Sequence, residues 1–130
     1  MSRIVVDAMN VIGSRADGWW RDRDGAARRL LLRLQRAAAQ TDDVITLVLD
    51  GRPPPDLAEG EHGGVAVRYA RRRGRDAADD RIVELVSADA DPAGLRVVTS
   101  DRDLVDRVIA LGATTEGAGT FLRRLDRLGA

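Results

Sequence analysis

The chain has 130 residues, of which 44% are hydrophobic and 32% charged, with 21 basic residues, 21 acidic residues and no cysteine. This length suits one α/β domain with a real core and is too short for two, so we predict a single domain over residues 1–130. The composition is that of a soluble globular protein, and the absence of cysteine excludes disulfides and cysteine-ligated zinc. Because no apolar run approaches the length of a bilayer span and the N-terminus lacks a signal-peptide pattern, we expect a cytoplasmic protein with no membrane partner.

The first half of the chain predicts two strands joined by one long helix. Residues 4–6 form a short β-branched run that is typical of a buried strand. The segment that follows Asp7 contains Gly13, Ser14 and Gly18 and is predicted as a loop. Residues 24–39 carry leucines and alanines at helical spacing, which predicts an amphipathic crossover helix. Residues 44–49 predict a second strand, and the prolines that follow it indicate a loop over 51–64.

The second half continues the alternation of strand and helix. Residues 65–69 alternate in a way that is compatible with an edge strand. The remaining predicted elements are a helix over 76–88, a strand over 95–99, a helix over 101–111, a brief strand over 113–115 and a last helix over 117–128. Strand and helix thus alternate through the whole chain, which predicts an α/β fold with a mostly parallel sheet covered on both faces.

Acidic residues recur where predicted strands end. Asp7, Asp50 and Asp101 each follow a hydrophobic run, and Asp79 lies at the start of a predicted helix. Open α/β sheets bind ligands at the carboxyl ends of their strands, so these side chains can converge although they are far apart in sequence. Taken singly, each aspartate also fits a turn, because aspartate is common where strands end.

The helix over 76–88 separates its two adjacent aspartates. Asp79 shares a stripe with Ile82 and Val86, so we expect it to face inward, whereas Asp80 should face outward. An inward carboxylate is unfavourable unless it is hydrogen-bonded or binds a cation. The alternative is a capping box in which Asp76 caps the helix and Asp79 reaches back to it.

The segment 98–103 is open to the same two interpretations. Ser100 and Asp103 fit a capping pattern at the start of the next helix. Capping would account for Ser100 and Asp103, whereas Asp101 would gain only a favourable position near the helix N-terminus. Asp101 is therefore the better functional candidate of the three.

A group of converging carboxylates favours a metal site. Several close carboxylates do not all stay ionised in water-poor surroundings without a counter-charge, so either their pKa values rise or a cation binds. Magnesium and manganese prefer oxygen ligands and share them with waters and substrate phosphates. Hydrolysis of a nucleic-acid backbone is therefore a coherent hypothesis.

Four ordered segments resemble one known family. They are Val6-Asp7-Ala8-Met9-Asn10-Val11-Ile12-Gly13, Leu49-Asp50-Gly51, Ala78-Asp79-Asp80-Arg81-Ile82 and Val98-Thr99-Ser100-Asp101-Arg102-Asp103. In this order they resemble the NYN domains, which are PIN-like nuclease domains related to the YacP group. The resemblance covers roughly residues 3–125, and the chain departs from many relatives in having Ala8, rather than glycine, after the first aspartate.

The resemblance implies a PIN-like three-layer α/β/α sandwich and a magnesium- or manganese-dependent endoribonuclease that acts on RNA. It implies Asp7, Asp79 and Asp101 as catalytic metal ligands, with Asn10 orienting nearby groups. The resemblance implies, less strongly, accessory roles in the site for Asp50, Asp80, Ser100 and Asp103. The expected partner is single-stranded RNA, and the sequence leaves homodimer formation open.

An arginine-rich segment precedes the helix that carries Asp79. Its arginines are Arg68, Arg71, Arg72, Arg73 and Arg75. These arginines can bind RNA phosphates beside the metal site with little specificity for base sequence. Alternatively, they are solvent-exposed charges on an edge strand and its loop that prevent aggregation. Trp19 and Trp20 are open to two interpretations as well, since they can stack on bases or anchor the crossover helix.

Two further functions compete with cleavage. A non-catalytic RNA-binding module would keep the PIN-like fold and hold RNA without metal-dependent turnover. A receiver-like signalling domain also clusters acids at strand ends, but it calls for paired acids after the first strand, and Ala8 is not acidic.

Overall fold

A computed structural model describes all 130 residues. The strands are β1 (Arg3–Asp7), β2 (Val44–Leu49), β3 (Gly60–His62), β4 (Val65–Tyr69), β5 (Leu95–Val98) and β6 (Thr114–Glu116). The helices are α1 (Ala8–Gly13), α2 (Arg23–Gln40), α3 (Ala77–Ser87), α4 (Arg102–Ala110) and α5 (Ala118–Leu128). Single 3₁₀ turns lie at Trp19–Arg21, Pro55–Leu57 and Pro92–Gly94. None of the helices is both long enough and apolar enough to cross a bilayer.

The six strands form one mostly parallel sheet in the order β3-β4-β2-β1-β5-β6. Only the β3–β4 pair is antiparallel. β1 is central because the chain crosses from it to β2 on one side and later returns to β5 on the other. A reversal of this kind opens a crevice at the carboxyl ends of the strands, where open α/β sheets bind ligands.

The sheet is covered by helices on both faces, as the alternation of elements predicted. Ile4 and Val6 of β1 belong to the larger core, whereas Val5 between them belongs to the smaller one. Successive strand side chains point to opposite faces, so this division marks two layers of core. α1, α2 and α5 supply the larger core, and α3 and α4 supply the smaller one. The prediction of a mostly parallel α/β sandwich is therefore confirmed.

The loop predicted directly after β1 is wrong over its first residues, because Ala8–Gly13 is helical. This helix has only six residues, too few to be stable through propensity alone. Its apolar residues Val11 and Ile12 are buried in the larger core. Tertiary packing therefore decides the helix, and a local sequence pattern gives little sign of it.

The predicted edge position of the strand over 65–69 is also wrong. β3, which lies within the segment predicted as a loop, pairs with β4 in antiparallel register and covers its outer side. Gly63 and Gly64 join the two strands with φ values of 55° and 87°. A two-residue turn with both φ angles positive is the favoured hairpin connection, so the Gly-Gly pair was the signal for this hairpin.

Candidate active site

Four of the aspartates singled out in the sequence meet in one cleft at the carboxyl edge of the sheet, and Asp76 also lines it. Asp7 ends β1, while Asp50 and Asp101 follow β2 and β5, and Asp79 comes from the first turn of α3. All four line a cleft of about 280 Å³, together with Asn10 of α1. The convergence expected from the strand ends is therefore present, because the adjacent strands β2, β1 and β5 are parallel and end side by side.

Asp7 is the buried member of the group, with only 4% of its surface exposed. Its Oδ2 accepts a hydrogen bond of 2.9 Å from the hydroxyl of Thr99. Burial raises the pKa of Asp7 to about 6, the Thr99 hydrogen bond opposes that rise, and the negative charge of Asp79 adds to it. No arginine pairs with Asp7, so its negative charge has no basic partner within the chain.

Thr99 joins two of the predicted site residues, and sequence reasoning missed it. Its side chain is buried and donates to Asp7, while its Oγ1 accepts the backbone N–H of Asp101 at 3.1 Å. The hydroxyl thus fixes the end of β1 to the loop that follows β5. In the sequence, Thr99 follows two valines and precedes Ser100 and Asp101. This position gives no sign of a role in the site, because a threonine there is equally typical of an ordinary strand residue.

Asn10 holds the same loop from the other side. Its Oδ1 accepts the backbone N–H of Ser100 at 2.8 Å. Ser100 in turn accepts the backbone N–H of Ala118 at 2.9 Å, which ties the loop to the start of α5. Asn10 and Ser100 therefore position the loop that carries Asp101.

The capping roles expected at this loop are reversed. Asp101, rather than Ser100, caps α4, since its Oδ1 accepts the backbone N–H of Leu104 at 3.1 Å. Asp103 is exposed in the first turn of α4 and forms no hydrogen bond with its side chain. Asp101 keeps its second carboxylate oxygen free of hydrogen bonds within the chain, so it can cap the helix and still offer an oxygen to the cleft.

The capping box proposed for α3 is absent. Asp76 precedes the helix in a left-handed conformation, with φ of 60°, and its side chain caps nothing. Asp79 is partly buried and forms no hydrogen bond with any protein group. Burial, followed by the negative charges of Asp101 and Asp76, raises the pKa of Asp79 to about 6. Helix capping therefore does not explain why Asp79 is partly buried.

Two of the accessory aspartates have arginine partners. Asp80 lies at the surface between Arg72 and Arg107, at 2.7 and 3.1 Å, and these guanidinium groups lower its pKa. Asp50 lines the cleft but also pairs with Arg23 at 3.1 Å. Asp80 is therefore an ion-pair residue of the surface, and Asp50 is a partly neutralised member of the cleft.

The donor chemistry suits a divalent cation, but the carboxylates are not gathered around one point. No group of three or more acidic or histidine side chains lies close enough together to hold a metal ion. The oxygen donors and the raised pKa values of Asp7 and Asp79 fit a hard cation. Magnesium commonly takes one or two carboxylates and completes its shell with waters and phosphates, so a full cage of protein ligands is not required.

Four of the five arginines predicted to bind RNA line three adjoining cavities, the first of which is the acidic cleft. Arg75 lines the acidic cleft, and Arg72 and Arg73 line a neighbouring pocket of about 300 Å³ that shares Asp50 with the cleft. Arg71 lines the next cavity along. Arg68 lies in β4, donates to the carbonyl of Val67 and lines none of these three cavities.

The two tryptophans have different surroundings. Trp19 is partly buried and packs against the larger core, as an anchor for the start of α2 would. Trp20 is 56% exposed and lies under the guanidinium of Arg21, at 5.7 Å from the ring centroid. Neither lines the acidic cleft.

Comparisons with known proteins agree with this architecture. The family model for the YacP-like NYN domain matches residues 4–130. A crystal structure of a mutant form of Rae1 (YacP) from Bacillus subtilis superposes with a TM-score of 0.81 at 22% sequence identity, covering 99% of this chain and 77% of that one. A second crystal structure of Rae1 (YacP) from Bacillus subtilis gives a TM-score of 0.74 at 22% identity, covering 99% and 76%. No protein with a curated description matches the chain in sequence.

Proposed function

Because this chain belongs to the YacP-like NYN domain family, a family related to nucleases, we propose that it is a metal-dependent endoribonuclease that hydrolyses phosphodiester bonds of single-stranded RNA. One observation carries the proposal. Asp7, Asp79 and Asp101 line a single cleft, and two of them have raised pKa values and no arginine partner. Uncompensated carboxylates at a ligand-binding edge indicate a functional site rather than a structural one.

In this proposal Asp7, Asp79 and Asp101 would together hold Mg²⁺ or Mn²⁺, with waters and a substrate phosphate bridging the distances that keep the three carboxylates from forming a metal site by themselves. When bound, the ion supplies an activated water and neutralises the charge that develops on the phosphate in an in-line displacement. Thr99 orients the Asp7 carboxylate, while Asn10 and Ser100 hold the loop that bears Asp101.

Arg73 and Arg75 are the arginines best placed to bind the RNA backbone. Neither forms an ion pair with an acidic residue, and they line the acidic cleft or the pocket next to it. Arg71 and Arg72 are already paired with Glu84 and Asp80. Replacing Arg73 and Arg75 by alanine should weaken RNA binding and reduce the slope of log K against log salt concentration by about one for each lost phosphate contact.

The test is cleavage of single-stranded RNA with Mg²⁺ or Mn²⁺ by the wild type and by Asp7→Asn, Asp79→Asn and Asp101→Asn. Asparagine caps a helix about as well as aspartate, so Asp101→Asn removes the charge while it keeps the α4 cap. We expect each variant to fall to the level of the wild type in EDTA. Asp24→Asn is the matched control, because Asp24 is exposed, forms no ion pair and lines neither the acidic cleft nor the cavities that adjoin it. Equal cleavage by all the proteins would reject the site.

The second candidate is a non-catalytic RNA-binding module. It is favoured by the absence of three carboxylates at metal-binding distance. RNA retention by the wild type without metal-dependent turnover would select it.

A further inference from the structure

A third cavity lies beyond the arginine pocket and contains a buried guanidinium. It has a volume of about 350 Å³ and is lined by Arg71, Arg81, Glu59 and Tyr69, among others. Arg81 is only 7% exposed, and its Nε is buried without a hydrogen-bond partner. The nearest carboxylate oxygens, from Glu59 and Glu84, are 3.6 and 4.0 Å from its Nη atoms, beyond hydrogen-bond distance. Buried polar groups in proteins are nearly always satisfied, so the Nη donors of Arg81, which lack an acceptor within hydrogen-bond distance, indicate a binding site for one.

The formal charges around this cavity cancel. Arg71 and Arg81 are opposed by Glu59 and Glu84, and Arg71 already donates to Glu84 at 2.7 Å. A backbone phosphate would gain little in such a balanced pocket, in contrast to the neighbouring pocket of Arg72 and Arg73. A neutral ligand that both accepts from arginine and donates to a carboxylate suits the charges better.

Glu59 is fixed beside Arg81 in a suitable arrangement. Its Oε1 accepts the backbone N–H of Tyr69 at 3.0 Å, and the same oxygen is 3.6 Å from Nη2 of Arg81. A guanidinium donor and a carboxylate acceptor therefore lie side by side. The Watson–Crick edge of guanine presents one acceptor, O6, directly beside two adjacent donors, N1–H and N2–H, so a neighbouring guanidinium and carboxylate can contact it together.

We propose that this cavity binds a guanine base of the RNA, with Arg81 donating to O6 and the two carboxylate oxygens of Glu59 accepting from N1–H and N2–H. Single-stranded RNA is commonly read through such base edges once its bases are unstacked. The proposal rests on the proposed function, since it gives the substrate a preferred base near the site of cleavage. Arg81 and Glu59 are then specificity residues.

The cavities form a continuous path that suits one RNA strand. The acidic cleft and the arginine pocket share Asp50 and Gly74, and the arginine pocket and the Arg81 cavity share Gly51. Arg81 also follows Asp79 by two residues in α3, so the two side chains leave the helix on different sides. A strand with a phosphate at the carboxylates can thus run past Arg72 and Arg73 and place a nearby base beside Arg81.

The first experiment measures binding in EDTA, where no metal-dependent cleavage occurs. The probes are short oligoadenylates that carry one central guanosine, adenosine, cytidine or uridine. We expect the wild type to bind the guanosine probe about tenfold more tightly than the others, as one bidentate base contact provides. Equal affinity for all four probes would overturn the proposal.

Two variants assign the preference to the cavity. Glu59→Gln keeps a side-chain carbonyl for the Tyr69 N–H but removes the carboxylate, and Arg81→Lys keeps the charge but removes the planar fork. Both should lose most of the guanosine preference while binding the other probes as the wild type does. Glu61→Gln is the matched control, because Glu61 is exposed on β3 and does not line the cavity, and it should keep the preference. Thermal unfolding of each protein shows whether it is folded, and Glu59→Gln serves if Arg81→Lys does not fold.

The outcomes separate this proposal from the proposed function. Cleavage that needs metal, combined with no guanosine preference, would overturn the guanine site and leave the nuclease in place. Guanosine preference without any cleavage would support the guanine site and reject the nuclease. A loss of affinity by Arg81→Lys that is equal for all four probes would mean that the cavity binds phosphate, and it would overturn the guanine site.

Discussion

Removing the charge of Asp7 should stabilise the metal-free protein at neutral pH. The carboxyl group is 4% exposed and its pKa is raised to about 6, against 3.8 when it is unperturbed. A carboxyl whose pKa is higher in the folded state contributes full stability below the unfolded value, and that contribution is lost as the pH rises through the folded value. A shift of roughly two pKa units corresponds to about 3 kcal/mol.

The difference in unfolding free energy between Asp7→Asn and the wild type should therefore widen as the pH rises. The wild type should lose about 3 kcal/mol of unfolding free energy through Asp7 between about pH 4 and pH 7, relative to Asp7→Asn. Asparagine cannot ionise and can still accept the Thr99 hydroxyl, so the variant keeps the contact and loses only the charge.

Urea unfolding in EDTA at several pH values, followed by tryptophan fluorescence and circular dichroism, measures this gap. Asp79 also contributes to the fall in both proteins, and because its charge raises the pKa of Asp7, the measured difference includes the repulsion between these two carboxylates. Asp106→Asn shows what the loss of one exposed charge does to the curve. A constant difference between wild type and Asp7→Asn across the whole pH range would refute the electrostatic reasoning.

Three further predictions test other parts of the molecule, each by urea unfolding. Thr99→Val should cost about 1–3 kcal/mol, because it leaves the N–H of Asp101 and the carboxylate of Asp7 without their shared hydroxyl, and it should reduce RNA cleavage as well. Leu34→Ala should cost about 2–5 kcal/mol, since this side chain is fully buried in the larger core, whereas Leu32→Ala, at an exposed position of the same helix, should change stability by about 0.5 kcal/mol or less. Asp80→Asn should destabilise the protein only slightly, and less in high salt, because both of its ion pairs are exposed; a large loss that is independent of salt would contradict this.

The sequence predicts the framework of the fold well because its strands are continuous apolar runs and its longest helix is strongly patterned. The strand at 44–49 and the helix over 24–39 match β2 and α2 within one residue at each end. The errors fall where tertiary contacts decide. α1 is held by the burial of Val11 and Ile12, and β3 is a short edge strand that exists only because it pairs with β4.

The candidate site was predictable in its carboxylates but not in the residues that position them. Asp7 and Asp101 stand out because each ends a hydrophobic strand. Thr99 and Arg81 do not, since a hydroxyl at a strand end and an arginine on a polar helix look ordinary until their partners, or the lack of them, are known. Capping was misassigned at Ser100 for the same reason, because two neighbouring acceptors compete for one helix start and only the backbone geometry selects Asp101.

The distribution of charge shows that the acidic cleft is not a by-product of an acidic protein. Basic and acidic residues are equal in number, and surface aspartates are matched by arginines that lower their pKa values. The aspartates matched in this way are Asp56, Asp80, Asp89 and Asp126. Asp7 and Asp79 have no such partner and their pKa values rise instead, although Arg75 lines the same cleft. A chain with enough arginine to neutralise every carboxylate thus leaves its most buried one uncompensated. Such a local loss of stability is typical of a functional site, so Asp7→Asn should be at once more stable and less active than the wild type.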